Sequence, residues 1–298
     1  MTKREIVITG GLGFVGRNFV MLLDRKLKNY KFIIYDKSSK NLKKLKYNNK
    51  KNKFDIIIAN TLNIKSKLAK YKNIVAVFHF GEFSRIVKSF EYTNECFVSN
   101  TLGTFKVLSF CKENNIKIIY SASSSKFGNN GKDEHLSPYS WTKSKNIELI
   151  KNFNRWYGLK YEIVYFYNVY GSGQSHFGKL AAVIGIFEGQ YLLNRPLTVV
   201  SPGTQSRDFT HISDIVRGTY LAWKKNLNKE YLLGTGRSIS ILKIAKLFET
   251  KIKMVAPRPG ERLTSFRVNN EAYKILGYKP KINIEKYIKD FVKKNKKR

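Results

Sequence analysis

The stretch Thr9-Gly10-Gly11-Leu12-Gly13-Phe14-Val15-Gly16 constrains this chain more than any other. It follows the apolar run Glu5–Thr9 and precedes Phe14–Lys26, where apolar residues recur at helical spacing. Gly10, Gly13 and Gly16 permit a tight turn and a close approach of a pyrophosphate to the backbone. Phe14 and Val15 open the helix, whose free N–H groups and dipole favour a phosphate. A glycine pattern alone also marks ordinary turns. The strand–turn–helix setting, and Asp36 at the end of the second apolar run, narrow it to a dinucleotide site. A carboxylate there accepts hydrogen bonds from both adenosine ribose hydroxyls and repels a 2′-phosphate. NAD is therefore expected rather than NADP, with Lys37 next to Asp36 pulling the other way.

The rest of the first half repeats the alternation. Strands are expected at Glu5–Thr9, Phe32–Asp36, Asp55–Ala59, Ile74–Phe80, Lys117–Ser121 and Tyr161–Tyr167. Most are continuous apolar runs, as in strands covered on both faces. Helices are expected at Phe14–Lys26, Thr101–Glu113 and Ser140–Tyr157, then near Ala181–Glu188, Ser213–Lys224, Ser240–Phe248 and Ile284–Lys293. The fold class is α/β, a doubly wound parallel sheet with a smaller C-terminal substrate lobe. Residues 1–168 form the NAD-binding domain, rejoined by a segment near 205–225, and 169–298 form mainly the lobe. The Lys/Asn-rich stretch Ser38–Lys53 reads as a mobile surface loop.

Composition excludes several classes. Two cysteines, Cys96 and Cys111, make no disulfide framework and no metal spacing, which suits a reducing cytosol. His79, His135, His176 and His211 form no cluster, so no metal is assigned. No signal-peptide pattern or bilayer-length apolar run appears, and a cytoplasmic protein is expected. With 56 Lys+Arg against 21 Asp+Glu, the formal charge is +35. Such a balance raises nucleic acid as a partner. Lys, Asn, Ile, Tyr and Phe are abundant together, however, as A/T-rich codons dictate, and the lysines are spread along the chain. A solvated basic surface is the expectation.

Tyr139-Ser140-Trp141-Thr142-Lys143 opens a predicted helix and sets Tyr139 and Lys143 four apart on one face. A Lys ammonium beside the phenol favours the phenolate, which would take the proton from a sugar hydroxyl as hydride leaves. The lysine would also hold the nicotinamide ribose. Upstream, the fifth strand ends in Tyr120-Ser121-Ala122-Ser123-Ser124-Ser125, hydroxyl groups placed where open α/β sheets bind ligands.

These motifs, with Tyr167-Asn168-Val169-Tyr170-Gly171 and Ser206-Arg207-Asp208-Phe209-Thr210-His211, stand in the order of the extended short-chain dehydrogenases. The chain resembles their nucleotide-sugar epimerase/dehydratase family, typified by UDP-glucose 4-epimerase, from Glu5 to about Tyr278. The resemblance implies a Rossmann domain, NAD, a nucleotide-sugar substrate and a homodimer paired through the helices Thr101–Glu113 and Ser140–Tyr157. It also implies residue roles. Ser123, Tyr139 and Lys143 would be catalytic, and Ser125 would face the substrate. Asn60 would meet the adenine and Asn100 would lie near the cofactor. Asn168 would contact the substrate's phosphate region, and Arg207 and Arg258 would clamp its pyrophosphate as bidentate forks.

The chain also departs from the pattern. Asn60 replaces an acidic residue, and Tyr165 stands where an arginine is common. The usual His-apolar-Ala-Ala becomes His79-Phe80-Gly81-Glu82, followed by Phe83-Ser84-Arg85. Dehydratases carry Thr-Asp-Glu and decarboxylases a Glu where this chain has Ser123-Ser124-Ser125. The second base of a heptose 6-epimerase would fall at Phe177. An epimerase inverting C4 through a 4-keto sugar needs none of these carboxylates and leads the expectations. A C4 dehydrogenase uses the same set, and dehydratase or decarboxylase chemistry is less well equipped. A recruited nucleic-acid-binding scaffold is the remote alternative.

Overall fold

The computed structural model describes residues 3–45, 52–178, 181–260 and 271–296, with side chains at 128–132 left out. Part of the expected loop Ser38–Lys53, residue Glu261 after the Arg258 motif and the last residues of the lysine tail lie outside them. In chain order the strands are β1 Arg4–Thr9, β2 Tyr30–Asp36, β3 Lys53–Ile58, β4 Ile74–His79, β5 Lys117–Ser123 and β6 Tyr161–Phe166. Then come β7 Asn168–Tyr170, β8 Leu197–Val200, β9 Ser206–His211, β10 Glu230–Leu233, β11 Ser238–Ser240 and β12 Ile252–Val255. The helices of the first half are α1 Phe14–Lys26, α2 Ile64–Leu68, α3 Ile86–Glu91, α4 Thr93–Phe97, α5 Gly103–Glu113 and α6 Pro138–Tyr157. The second half adds α7 Val183–Leu192, α8 Ile212–Lys225, α9 Ile241–Lys246, α10 Glu271–Leu276 and α11 Ile284–Asn295.

Seven parallel strands form the main sheet in the order β10-β6-β5-β4-β1-β2-β3. The chain leaves β1 towards one edge and returns from β4 towards the other. The loops after β1 and β4 therefore part at the sheet's carboxyl end, the place where such sheets open a crevice. One face is covered by α2, α5 and α6, through Leu68, Val107, Leu108, Ile147 and Ile150. The other is covered by α1, α8 and α10, through Phe19, Val20, Leu23, Ile215 and Leu276. Both faces are dry, which is why β1, β2, β4 and β5 are apolar without alternation.

The helix α1 spans the expected residues. Parallel β3 and β4 require a crossover; the sequence showed none, and α2 supplies it, one lysine-rich turn too short to display a period. The strand β10 completes the sheet from beyond the expected returning segment. A third core, centred on Phe187, Phe209, Ile244 and Phe248, fills the lobe built from α7, α9, α11 and two small sheets.

At the main core's centre Phe78 is fully buried, 4.4 Å from the ring of Phe19 and 5.6 Å from that of Trp223. Truncation would leave a cavity that these rings cannot close. Phe78→Ala is expected to lose about 3–5 kcal/mol in urea unfolding; a loss under about 1 kcal/mol would mean the site collapses freely.

Candidate active site

The glycine turn is held by crowding. Gly10 has φ of +65°, and a Cβ there would lie 2.8 Å from the Gly81 nitrogen. A Cβ on Gly16 would overlap the Gly10 carbonyl oxygen. Both positions exclude larger residues, so the turn, α1 and the loop after β4 meet backbone to backbone. This leaves a cradle with N–H groups at the start of α1. Asp36 ends β2 at its rim, accepting from Leu12 N at 3.0 Å and Ser38 N at 3.1 Å. Burial raises its carboxyl from the ordinary range, against the pull of those two N–H groups. The residues fit a dinucleotide: a bare glycine cradle, a helix start and a carboxylate at the end of the neighbouring strand.

Sequence reasoning missed Arg17. Its guanidinium donates to Leu12 O at 2.6 Å and Gly173 O at 3.0 Å, tying the glycine turn to the loop after β7. Its place one residue past Gly16 was the available signal. Asn60 caps the turn after β3, its Oδ1 accepting from Leu62 N at 3.0 Å. Asn100 is fully buried and is committed to Phe83 and Thr142: Oδ1 accepts from Phe83 N at 2.7 Å, and Nδ2 donates to Thr142 Oγ1 at 3.1 Å. It fixes the loop after β4 against α6.

Tyr139 and Lys143 lie on the first turns of α6, whose start is set by Ser137 capping Ser140 N and by Pro138. The Tyr139 N–H donates to Ser89 Oγ of α3 at 3.2 Å. Ser123 ends β5, its Oγ accepting from Ser125 N at 3.2 Å. Ser125 Oγ is buried and has no hydrogen-bond partner among the described residues. The helix α6 packs on β5 and on the turn that follows it, so the Tyr/Lys pair and the serine triplet belong to one corner. Asn168 on β7 donates to Asp208 O at 3.2 Å, and Arg207 is buried on β9. Arg258 is exposed in the loop after β12, whose Gly260 turn packs on Ile86 and Phe90 of α3. The two arginines thus come from different sheets.

The partner of Lys143 is a second surprise. Its ammonium contacts the Glu82 carboxylate, donates to Ser121 O at 2.6 Å and lies 4.7 Å from the Tyr120 ring centre. Glu82 Oε1 also accepts from Thr104 Oγ1 at 2.8 Å, Asn146 Nδ2 at 2.8 Å and Tyr120 OH at 3.1 Å. Behind Thr104 stands His79, Nε2 at 3.0 Å from its Oγ1, with Nδ1 2.7 Å from Thr9 Oγ1. Gly81 N donates to that same Thr9 oxygen at 3.1 Å. With His79 neutral and Glu82 a carboxylate, one set of proton positions satisfies all these contacts. Gly81 gives to Thr9, Thr9 gives to His79 Nδ1, His79 Nε2–H gives to Thr104, and Thr104 gives to Glu82.

Comparisons with known proteins identify the family. The model of the NAD-dependent epimerase/dehydratase family matches residues 6–234. The chain belongs to that family. A putative UDP-glucose 4-epimerase from Methanocaldococcus jannaschii is 30% identical, covering 96% of this chain and 97% of the relative. A UDP-glucuronate 4-epimerase from Thermodesulfobacterium geofontis is 31% identical over 95% of this chain and 93% of its own length. The crystal structure of UDP-glucose 4-epimerase with UDP-glucose from Thermotoga maritima superposes with a TM-score of 0.87 at 25% identity, covering 98% and 100%. The chain is therefore an enzyme of a family whose cofactor is NAD. Among the described residues no His, Cys, Asp or Glu cluster suits a metal, and no helix is long and apolar enough to cross a membrane.

Burial lowers the His79 imidazole to about 4, which keeps it neutral; Glu82 pulls it up and Lys143 pushes it down. Between about pH 6.5 and about pH 4 the unfolded chain takes up a proton that the folded chain refuses. Stability should therefore fall with pH across that window, by roughly 3 kcal/mol from this group. Urea titrations at pH 7 and pH 4.5 should show a shallower fall in His79→Gln than in the parent. Equal falls would mean that the imidazole titrates normally inside the fold.

Proposed function

We propose that this chain is an NAD-dependent nucleotide-sugar 4-epimerase working through a transient 4-keto sugar. The observation that carries the proposal is the corner where α6 meets the end of β5. The helix α6, which bears Tyr139 and Lys143, packs there on the strand that ends in Ser123, and the triplet Ser123–Ser125 brings no carboxylate to it. Relatives along nearly the full chain that are named as 4-epimerases support the same choice.

In this mechanism Tyr139 takes the proton of the sugar's C4 hydroxyl while Ser123 Oγ holds that oxygen. NAD, when bound, supplies the acceptor for the C4 hydride and its return. Tyr139 gives the proton back after the ketone has turned its other face. Gly10, Gly13, Phe14, Val15 and Gly16 receive the cofactor pyrophosphate and Asp36 its adenosine ribose, with Asn60 at the adenine. Lys143 holds the nicotinamide ribose. Asn100 acts by placing the Gly81–Arg85 loop. Ser125 and Asn168 face the substrate, and Arg207 and Arg258 reach its diphosphate from two sides. A dehydratase or decarboxylase would need an acid or base that the serine triplet does not offer.

The purified chain with NAD should convert a UDP-sugar into an isomer of equal mass, inverted at C4 by NMR. Tyr139→Phe should lower kcat by at least about 100-fold with little change in KM, as loss of a general base requires. Loss of water, carbon dioxide or two hydrogens from the sugar would assign another reaction.

We also infer a homodimer. Phe97, Leu102, Phe105 and Trp141 are exposed on and around α5 and α6, with the Phe97 and Trp141 rings 5.6 Å apart. Such an apolar row on neighbouring helices suits a partner copy. The double variant Leu102→Glu/Phe105→Glu should sediment as a monomer where the parent sediments as a dimer; a persisting dimer would place the interface elsewhere. The reduced, buried thiols of Cys96 and Cys111 accord with a cytoplasmic enzyme. The basic surface is taken as solvated, without a nucleic-acid partner.

A further inference from the structure

Glu82 puts a negative charge beside the one ammonium on which the Tyr139/Lys143 corner relies. Its side chain is 1% exposed and that of Lys143 7%, so water screens neither well. Four donors converge on the carboxylate: Lys143, Thr104, Asn146 and Tyr120. A carboxylate is acceptor-only and suits all four, whereas a neutral acid would bring a proton with no acceptor to take it. The Tyr120 hydroxyl lies 3.1 Å from Glu82 Oε1, and because a carboxylate only accepts, the phenol donates to it. Burial and the Glu82 charge both hold the Tyr120 phenol protonated. The hydrogen-bond chain from Gly81 through His79 ends on the same oxygen. Glu82 is thus fixed, ionised and in contact with Lys143.

The consequence concerns the cofactor. Oxidised nicotinamide carries a positive charge and the reduced ring carries none. A lone ammonium beside the ring would disfavour the oxidised form, while an ion pair of zero net charge does so much less. We propose that Glu82 is a positioning residue that acts through Lys143, offsetting the charge of that ammonium at the nicotinamide end of the site and poising bound cofactor towards its oxidised form. A site so poised returns hydride to the sugar instead of retaining reduced cofactor. The proposal rests on Lys143 meeting the nicotinamide ribose, and it needs no knowledge of the sugar.

The test compares equilibrium affinities of the whole chain for NAD+ and NADH, by NADH fluorescence and by competition. Glu82→Gln keeps the shape and removes the charge. The ratio Kd(NAD+)/Kd(NADH) should rise about tenfold, the scale of one nearby charge. Glu82→Ala, the residue usual at this position in the sequence pattern, should show the same rise if the Gln variant folds poorly. Tyr120→Phe removes one hydrogen bond of the network without changing its charge, and should leave the ratio at the parental value. Equal weakening of both nucleotides in the Glu82 variants, an unmoved ratio, or a matching rise in Tyr120→Phe would overturn the proposal and leave Glu82 a structural residue. Parental protein that binds neither nucleotide would instead overturn the cofactor reading, and this proposal with it.

Discussion

The relay from Gly81 through Thr9, His79 and Thr104 to Glu82 is the interaction on which the rest of the site hangs. It runs across the ends of β1 and β4, where the sheet order changes direction, and it joins them to α5. Asn146 and Lys143 then bring α6 to the same carboxylate. Thr9, His79 and Thr104 are fully buried, and the directions of the bonds are determined once His79 is neutral. Complete burial of the imidazole secures that neutrality. Glycine at 81 completes the arrangement, because a side chain there would displace the Gly10 backbone. The glycine turn after β1 and the helix that bears Tyr139 are therefore placed by one network.

How much of this the sequence displayed follows from the range of each interaction. The glycine turn, α1 and Asp36 are written within a few dozen residues, and their strand–turn–helix grammar is local. Apolar runs marked β1, β2, β4 and β5 because a sheet buried on both faces demands them, while the edge strand β3 keeps Ile56 and Ile58 exposed. The elements α3 and α4 carry no such mark: each is five or six residues long and shares its exposed surface with lysine, glutamate and asparagine. Strand β10 is four residues whose parallel pairing with β6 joins segments far apart in the chain.

The same distinction separates the site residues. Tyr139 and Lys143 were legible because four residues make one helical turn. Glu82 stood out as a departure from a pattern, yet its contact with Lys143 spans 61 residues and has no sequence signature. Asn100 illustrates the converse. Its position in a familiar motif suggested closeness to the cofactor, while its side chain is spent on Phe83 and Thr142. A motif reports that a residue type is needed at a place; packing decides which of its atoms remain available.

The substrate half depends on long-range pins throughout. Asp208 accepts from Thr235 and Gly236 and so fixes β9 beside the turn after β10. Arg17 holds Gly173, and the Gly260 turn rests on Ile86 and Phe90. The Arg17 and Gly260 contacts join second-half segments to the first half of the chain, so the Arg258 loop gains its position from there. The segment Gly81–Arg85 takes part in both: its start crosses the glycine turn, and its end leads into α3, against which the Arg258 loop packs. Glu82 and Arg85, the chain's clearest departures from the family pattern, fall in that segment.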